Sequence, residues 1–368
     1  MAKKRVNHLP QEVITEILLQ LPVKTLLRCK CVCKSWLSMI SDPHFATSHF
    51  HKFAASPRLL FFDYDAPDAL TIDFHAYLHD DSASSLSPDF LHPQSVPEIG
   101  GSCRGFLFLR CYRDFYIWNP STSVRKQIPV SNSNKYSVKL LYGFGYDLLT
   151  DDYIVVVESY KCGYRKMSSI DLEIFSLRAN EWKQIELDSD LPYRNPANSE
   201  GGPKVGSFLN GSIHWLVYNY ETEMNVIIAF DLKEMTMSEI ALPDDCYSDY
   251  SLKIYDVLLF QGLISVWNVE MSTLKMWVMQ EYAVHSSWTR TFDFSFHPPR
   301  DFSPVCFTNC GDIVGLVFAD GGLAKLNDKG QLQEYHSYGS RYFVRSQMAV
   351  YIDSLLSLPD GTEQAQDN

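Results

Sequence analysis

The sequence predicts an α+β multidomain chain, with a small N-terminal helical unit followed by an all-β propeller. Three observations carry this. Apolar residues follow the 3.6-residue helical period as far as Phe53, then break into short runs separated by turn residues. Paired apolar runs then recur about every 50 residues. Aromatic residues make up 14% of the 368, with 21 Tyr and 22 Phe, and rings fit a pleated surface.

The helical segment opens at Leu9. Pro10 suits a first helical position, where its missing N–H leaves nothing unpaired. Val13, Ile14, Ile17, Leu18 and Leu21 make one apolar stripe. Pro22 ends that helix, and Val23, Leu26 and Leu27 begin a second apolar face. Cys31, Val32, Trp36, Leu37 and Ile40 continue it after a turn. Asp42-Pro43 reads as a helix cap with a first-turn proline, leading to Phe45, Phe50 and Phe53. About a dozen large apolar residues in roughly 40 make too small a unit to fold alone. Its stripe packs either on the rest of the chain or on a partner.

The run Leu9-Pro10-x-Glu12-Val13-Ile14-x-x-Ile17-Leu18-x-x-Leu21-Pro22-Val23-x-x-Leu26, with the later Val32-Cys33-Lys34-x-Trp36, resembles an F-box over about residues 5–45. The resemblance implies three short helices that insert into the Skp-type adaptor of a cullin-based ubiquitin ligase. By the same resemblance Leu9, Pro10, Val13, Ile14, Ile17, Leu18, Leu21, Pro22, Leu26, Val32, Cys33 and Trp36 are adaptor-facing or form the F-box core.

Beyond Arg58-Leu59-Leu60-Phe61-Phe62, residues 78–97 are rich in Asp, Ser and Pro and read as a surface loop. Strand pairs then repeat, and their second members end at Trp118, Phe175, Phe230, Trp277 and Leu326. These ends lie 57, 55, 47 and 49 residues apart. Asn210-Gly211, Gln261-Gly262, Cys310-Gly311 and Asp320-Gly321 supply tight turns. A third run closes each unit, such as Arg125–Pro129 or Glu181–Ile185. Five units are visible. Residues 57–77 and 342–352 supply a sixth, whose joined ends would close the ring and leave no free sheet edge. Six blades is the expectation, with seven as the alternative.

Three stretches then resemble the F-box-associated domain of plant F-box proteins, often described as kelch-like. They are Tyr116-Ile117-Trp118-Asn119-Pro120-Ser121-Thr122, Gly143-Phe144-Gly145-Tyr146-Asp147-x-x-Thr150-Asp151-Asp152-Tyr153 and Leu209-Asn210-Gly211-x-Ile213-His214-Trp215. The double glycine of true kelch repeats is absent, so the propeller rests on the period. The expected division is 1–53 for the F-box with a short helical connector, 54–358 for the propeller and 359–368 for a polar tail.

Composition removes other classes. No run approaches 18 apolar residues, so no membrane helix is expected. Met1-Ala2-Lys3-Lys4-Arg5 opens no secretory apolar run, and nine scattered cysteines then read as reduced thiols of the cytosol or nucleus. The formal charge of −12 divides into +6 over residues 1–58 and −18 over the rest. A body that acidic repels phosphates, which argues against a nucleic-acid partner.

Candidate chemistry is sparse. Cys29, Cys31 and Cys33 point apart on a helix and do not converge on zinc. Cys306 and Cys310 read as two buried thiols. His75, His79, Asp80 and Asp81 read as a solvated loop, and Asp151-Asp152 and Asp244-Asp245 as turn formers. Gly143-x-Gly145 lacks the third glycine and the helix of a phosphate loop. No catalytic residue, metal site or cofactor is assigned. Loops 130–138, 188–203 and 244–251 are candidates for holding a protein target, with Tyr193, Arg194, Tyr247 and Tyr250 as anchors. The resemblance implies a non-catalytic substrate receptor, bound through its adaptor to a cullin scaffold. A propeller enzyme acting on a carbohydrate or small molecule, or an interaction module outside any ligase, are the alternatives.

Overall fold

The computed structural model describes residues 9–53, 57–62, 68–73, 83–91, 97–131, 138–162, 167–186, 193–194, 204–246, 256–270, 273–295, 302–308, 310–317, 322–337 and 347–359. Four helices come first: α1 (Gln11–Leu18), α2 (Val23–Cys29), α3 (Lys34–Ile40) and α4 (Pro43–Phe53). The expected three-helix unit and its helical connector are therefore four distinct helices. Pro10 and Pro22 are extended residues just ahead of α1 and α2, one step earlier than the sequence placed Pro10. A residue with no N–H and a fixed φ serves there as well, because the first turn has no carbonyl to meet. Asp42 caps α4 as expected: its Oδ1 accepts from the His44 and Phe45 backbone N–H groups at 2.8 and 3.2 Å.

The rest is a six-bladed β-propeller. Blade 1 runs Glu98–Cys103, Phe106–Cys111, Asp114–Trp118 and Arg125–Ile128. Blade 2 runs Val138–Asp147, Asp152–Cys162, Met167–Ser176 and Glu181–Ile185, with Lys204–Val205 added in parallel along its first strand. In blade 3 Ser207–Leu209 and Tyr193–Arg194 both flank Ser212–Asn219, followed by Met224–Asp231 and Thr236–Ile240. Blade 4 is Asp256–Phe260, Leu263–Glu270, Thr273–Met279 and Trp288–Ser295. Blade 5 is Phe302–Phe307, Ile313–Val317, Gly322–Leu326 and Leu332–Ser337. Blade 6 joins the two ends of the chain: Gln347–Ile352 pairs with Pro57–Phe62, then Ala69–Asp73 and Ala83–Leu86.

Two differences from the sequence reading have one cause. The sequence pattern does not pick out the first strands of blades 1 to 5, because these are short, rich in glycine or interrupted by proline, as in Glu98–Cys103 and Phe302–Phe307. The supposed surface loop 78–97 contains the outer strand Ala83–Leu86, which pairs Ile72 with Ala83. That strand is Ser-rich and half wet, with Ser85 and Ser87 donating to Asp68, so it shows no apolar alternation. Pattern reading finds strands buried on both faces and misses edges.

The cores lie between blades. Ile213, Trp215, Phe230, Val156 and Ile174 join blades 2 and 3. Val257, Ile264 and Trp277 join blade 4 to Ile227 and Leu216 of blade 3. The cluster between blades 1 and 2 is the one that continues into the helices. Phe106, Phe108, Tyr142, Phe144 and Phe175 are contiguous with Leu18, Leu26, Phe45 and Phe50.

Candidate docking site

The helices are seated at one end of the propeller, where the turns between first and second strands emerge. α4 buries Phe45, Ala46 and Phe50 there. His49, also on α4, is fully buried, and its Nε2–H donates to the Leu21 carbonyl at 2.8 Å, tying α4 to the end of α1. Burial holds that imidazole below its ordinary pKa.

Residues 353–358 leave the last strand and complete the seat. Asn119 Nδ2 donates to the Ser354 carbonyl at 3.0 Å, Ser121 Oγ to Asp353 at 2.8 Å, and Leu355, Leu356 and Leu358 are buried with the helices. Gly105, at φ +85°, lets this strap pass, since a Cβ there would collide with Ser354.

Held in this seat, the apolar residues of the helical unit divide into two sets. Leu18 and Leu26 are buried, and Ile14, Leu21 and Trp36 are half-buried on the same core. Leu9, Pro10, Val13, Ile17, Pro22, Val32 and Cys33 are exposed, Val32 to 64%. Val13 and Ile17 are one turn apart, so the single predicted stripe is really two adjacent rows, one facing in and one facing out. Leu37 is exposed as well and belongs with the outer row, though it stood outside the candidate set. Its spacing from Cys33 and Ile40 gave it an ordinary core position; only the packed helices turn it to water. Each of these large side chains would gain roughly 1–2 kcal/mol if a partner covered it.

Two of the four predicted target anchors lie among the described residues. Tyr193 is half-buried against blade 3, and its Oη donates to Glu239 at 2.9 Å. Burial and that carboxylate push the phenol up to about 12. Arg194 pairs through its backbone with Tyr218. Tyr247 and Tyr250 lie outside the described residues, as do His75, His79, Asp80 and Asp81.

Of the cysteines, Cys29 is half-buried in the helical core, while Cys31 and Cys33 are exposed. Cys306 is buried and its thiol raised by burial, but Cys310 is exposed, which corrects the expectation of two buried thiols. Cys310 lies between the strands Phe302–Phe307 and Ile313–Val317 rather than within either. Asp151 and Asp152 serve a turn: Asp152 accepts from the Arg178 N–H at 2.8 Å. Gly143 and Gly145 are packing positions, pressed against Trp215 and Phe208 of blade 3. Among the described residues no three His, Cys, Asp or Glu side chains gather as a metal set, and no helix is long and apolar enough to cross a membrane.

A small helical unit with an outward apolar row, fixed to the end of a closed propeller, is a docking module joined to an interaction scaffold. The comparison with known proteins gives that class its family. Residues 55–319 match the F-box associated beta propeller domain, and residues 6–52 match an F-box-like unit. The chain belongs to the F-box associated β-propeller family. It is similar to F-box protein CPR1 of Arabidopsis thaliana, 27% identical over 77% of this chain and 72% of that protein. F-box/kelch-repeat protein At3g23880 of the same plant is 26% identical over 86% of each chain. F-box protein At5g49610, again from Arabidopsis thaliana, is 27% identical over 84% and 85%. An F-box joined to a propeller, among relatives that are plant F-box proteins, has the build of a substrate receptor.

Proposed function

We propose that this protein is the substrate-recognition subunit of an SCF-type ubiquitin ligase. The outward row of Leu9, Val13, Ile17, Val32 and Leu37 docks a Skp-type adaptor and, through it, a cullin scaffold. The propeller holds a protein target, and other subunits transfer ubiquitin to a target lysine. The chain needs no nucleophile in this scheme, because its contribution is proximity. The functional division follows the sequence reading, with 1–53 for docking, 54–358 for target binding and 359–368 as a tail, in a protein of cytosol or nucleus.

The observation that carries the reading is the exposed apolar row on helices whose opposite side is already packed. The test is copurification of the full chain with a plant Skp-type adaptor, comparing wild type with Ile17→Asp/Val32→Asp. Both positions are exposed, so the variant should keep its melting temperature and lose the adaptor. Binding of the variant at wild-type yield would overturn the docking assignment. Removing residues 1–53 is a poorer test, because it would strip the cover from Phe106, Tyr146 and Leu355.

A further inference from the structure

A small cavity lies on the flank of the ring, between the outer strand of blade 6 and the outer half of blade 1. Leu86, Asp89, Phe90, Trp118, Ser123 and Arg125 line it. We propose that this cavity is a recognition pocket for the side-chain carboxamide of an Asn or Gln in a protein target. That the side chain belongs to a target rests on the receptor reading above; the carboxamide chemistry rests on the cavity alone.

The chain builds the cavity where it crosses from blade 6 to blade 1. Ala83–Leu86 is the outer strand of blade 6, and the turn after it lays Phe90 against blade 1. The Phe90 ring packs on Tyr116 and Trp118, at centroid distances of 5.0 and 5.8 Å. Arg125, on the outer strand of blade 1, holds its guanidinium 5.2 Å from the same ring and pairs with the Asp89 carboxylate. Walls made of packed rings and an ion pair are ordered before a ligand arrives, which lowers the cost of binding.

Size limits the ligand. The cavity measures about 60 Å³. One water needs roughly 10–15 Å³ on the same measure, and a cavity of about 150 Å³ holds a benzene ring. The space therefore suits a group of roughly three or four heavy atoms and is too small for a ring.

Polarity selects among groups of that size. Trp118 is 3% exposed, and its indole N–H meets no acceptor among the described residues. That nitrogen is nevertheless not sealed in, and the cavity is the open space that Trp118 lines. Asp89 gives only Oδ1 to Arg125, which leaves Oδ2 to accept. A donor and an acceptor thus serve one small space. A carboxamide answers both: its carbonyl accepts from Trp118 Nε1–H, and its NH2 donates to Asp89 Oδ2.

Other side chains fit worse. A carboxylate would meet Asp89, in a propeller whose formal charge is already strongly negative. A cation would meet Arg125. An apolar group would cover the indole N–H and give it nothing in place of water.

The test is an NMR titration of the full-length protein, read at the indole N–H resonance of Trp118, one of seven tryptophans. Cross-peaks to Phe62 and Phe90 identify it. The probes are capped tripeptides, Ac-Ala-X-Ala-NHMe, with X as Gln, Asn, Glu, Leu or Ala. The Gln or Asn peptide should shift that resonance saturably, with a Kd of about 1–10 mM for a group of this size. The Glu, Leu and Ala peptides should bind at least about tenfold more weakly. Asp89→Ala should weaken the carboxamide peptide about tenfold at unchanged melting temperature, since Asp89 is exposed at the rim. No shift from either carboxamide peptide overturns the proposal, and so does a Glu, Leu or Ala peptide that binds as tightly. An Asp89→Ala variant with wild-type affinity overturns it as well. If that variant fails to fold, the peptide series on the wild type decides alone. Copurification with the adaptor probes the helices instead, so the receptor reading and the pocket fail separately.

Discussion

Arg104, on the first turn of blade 1, lies with its guanidinium 5.5 Å from the ring centroid of Phe50 in α4 and 4.1 Å from that of Tyr146 in blade 2. One cation thus binds the helical unit to two blades at once, above an apolar cluster that already runs through all three. Cation–π contacts of this kind contribute roughly 0.5–2 kcal/mol each. Arg104→Ala should therefore cost about 1–2 kcal/mol in urea unfolding. The loss should leave a single cooperative transition followed alike by helical and β signals. Separate helical melting in the wild type would contradict a shared core.

Two glycines at similar φ separate backbone strain from collision. Gly105 and Gly211 sit at +85° and +77°, but a Cβ on Gly105 meets Ser354, whereas one on Gly211 meets open space. Gly211→Ala should cost about 1 kcal/mol, for strain alone. Gly105→Ala should cost more, about 2–3 kcal/mol, and should open the 353–358 strap to protease. Equal costs at the two sites would remove the strap from the account.

His214 pins blade 3 to blade 4. Its Nδ1–H donates to the Ser207 carbonyl at 3.1 Å, which leaves Nε2 to accept from Tyr282 Oη at 2.8 Å. Burial holds its pKa below the usual 6.5, as it does for His49. The unfolded chain takes up protons at 6.5 while the folded one resists, so stability is full above pH 6.5 and falls below it. The slope is at most about 1.4 kcal/mol per pH unit per site. Melting temperatures between pH 8 and 5.5 should show this fall, and His214→Gln should flatten it.

Glu158 has the opposite sign. It follows Ile154 and Val156 on the apolar face of blade 2, and burial pushes its carboxyl up to about 7. A raised folded pKa means stability is full below about 4.5, the value in the unfolded chain, and is lost as pH rises through 7. Glu158→Gln should stabilise the protein by on the order of 2 kcal/mol at pH 8 and by almost nothing at pH 4. Denaturant titrations at the two pH values decide it.

Most of the architecture was legible because it is written in doubly buried strands. Phe106–Cys111, Ser212–Asn219 and Ile313–Val317 are apolar on both faces, as a strand between two blades must be, and their spacing gave the ring. Ala83–Leu86 and Ser207–Leu209 were not legible, since an edge strand and a three-residue inner strand carry no such run. On the helices the sequence located the apolar positions but not their directions. Val13 and Ile14 look alike in a pattern, and only the seat on α4 and residues 353–358 decides which of them faces water.

The pairing of Gln347–Ile352 with Pro57–Phe62 also sets an order of events during synthesis. The helices leave the ribosome before any blade, yet Leu355, Leu356 and Leu358, which finish their seat, follow the last strand of the ring. Until then the nascent chain carries an open ring and an unanchored apolar row, the form most in need of a chaperone. A message truncated before Gln347 yields not a smaller propeller but two bare sheet edges and loose helices. Residues 347–358 therefore close the ring and set the helices in place together.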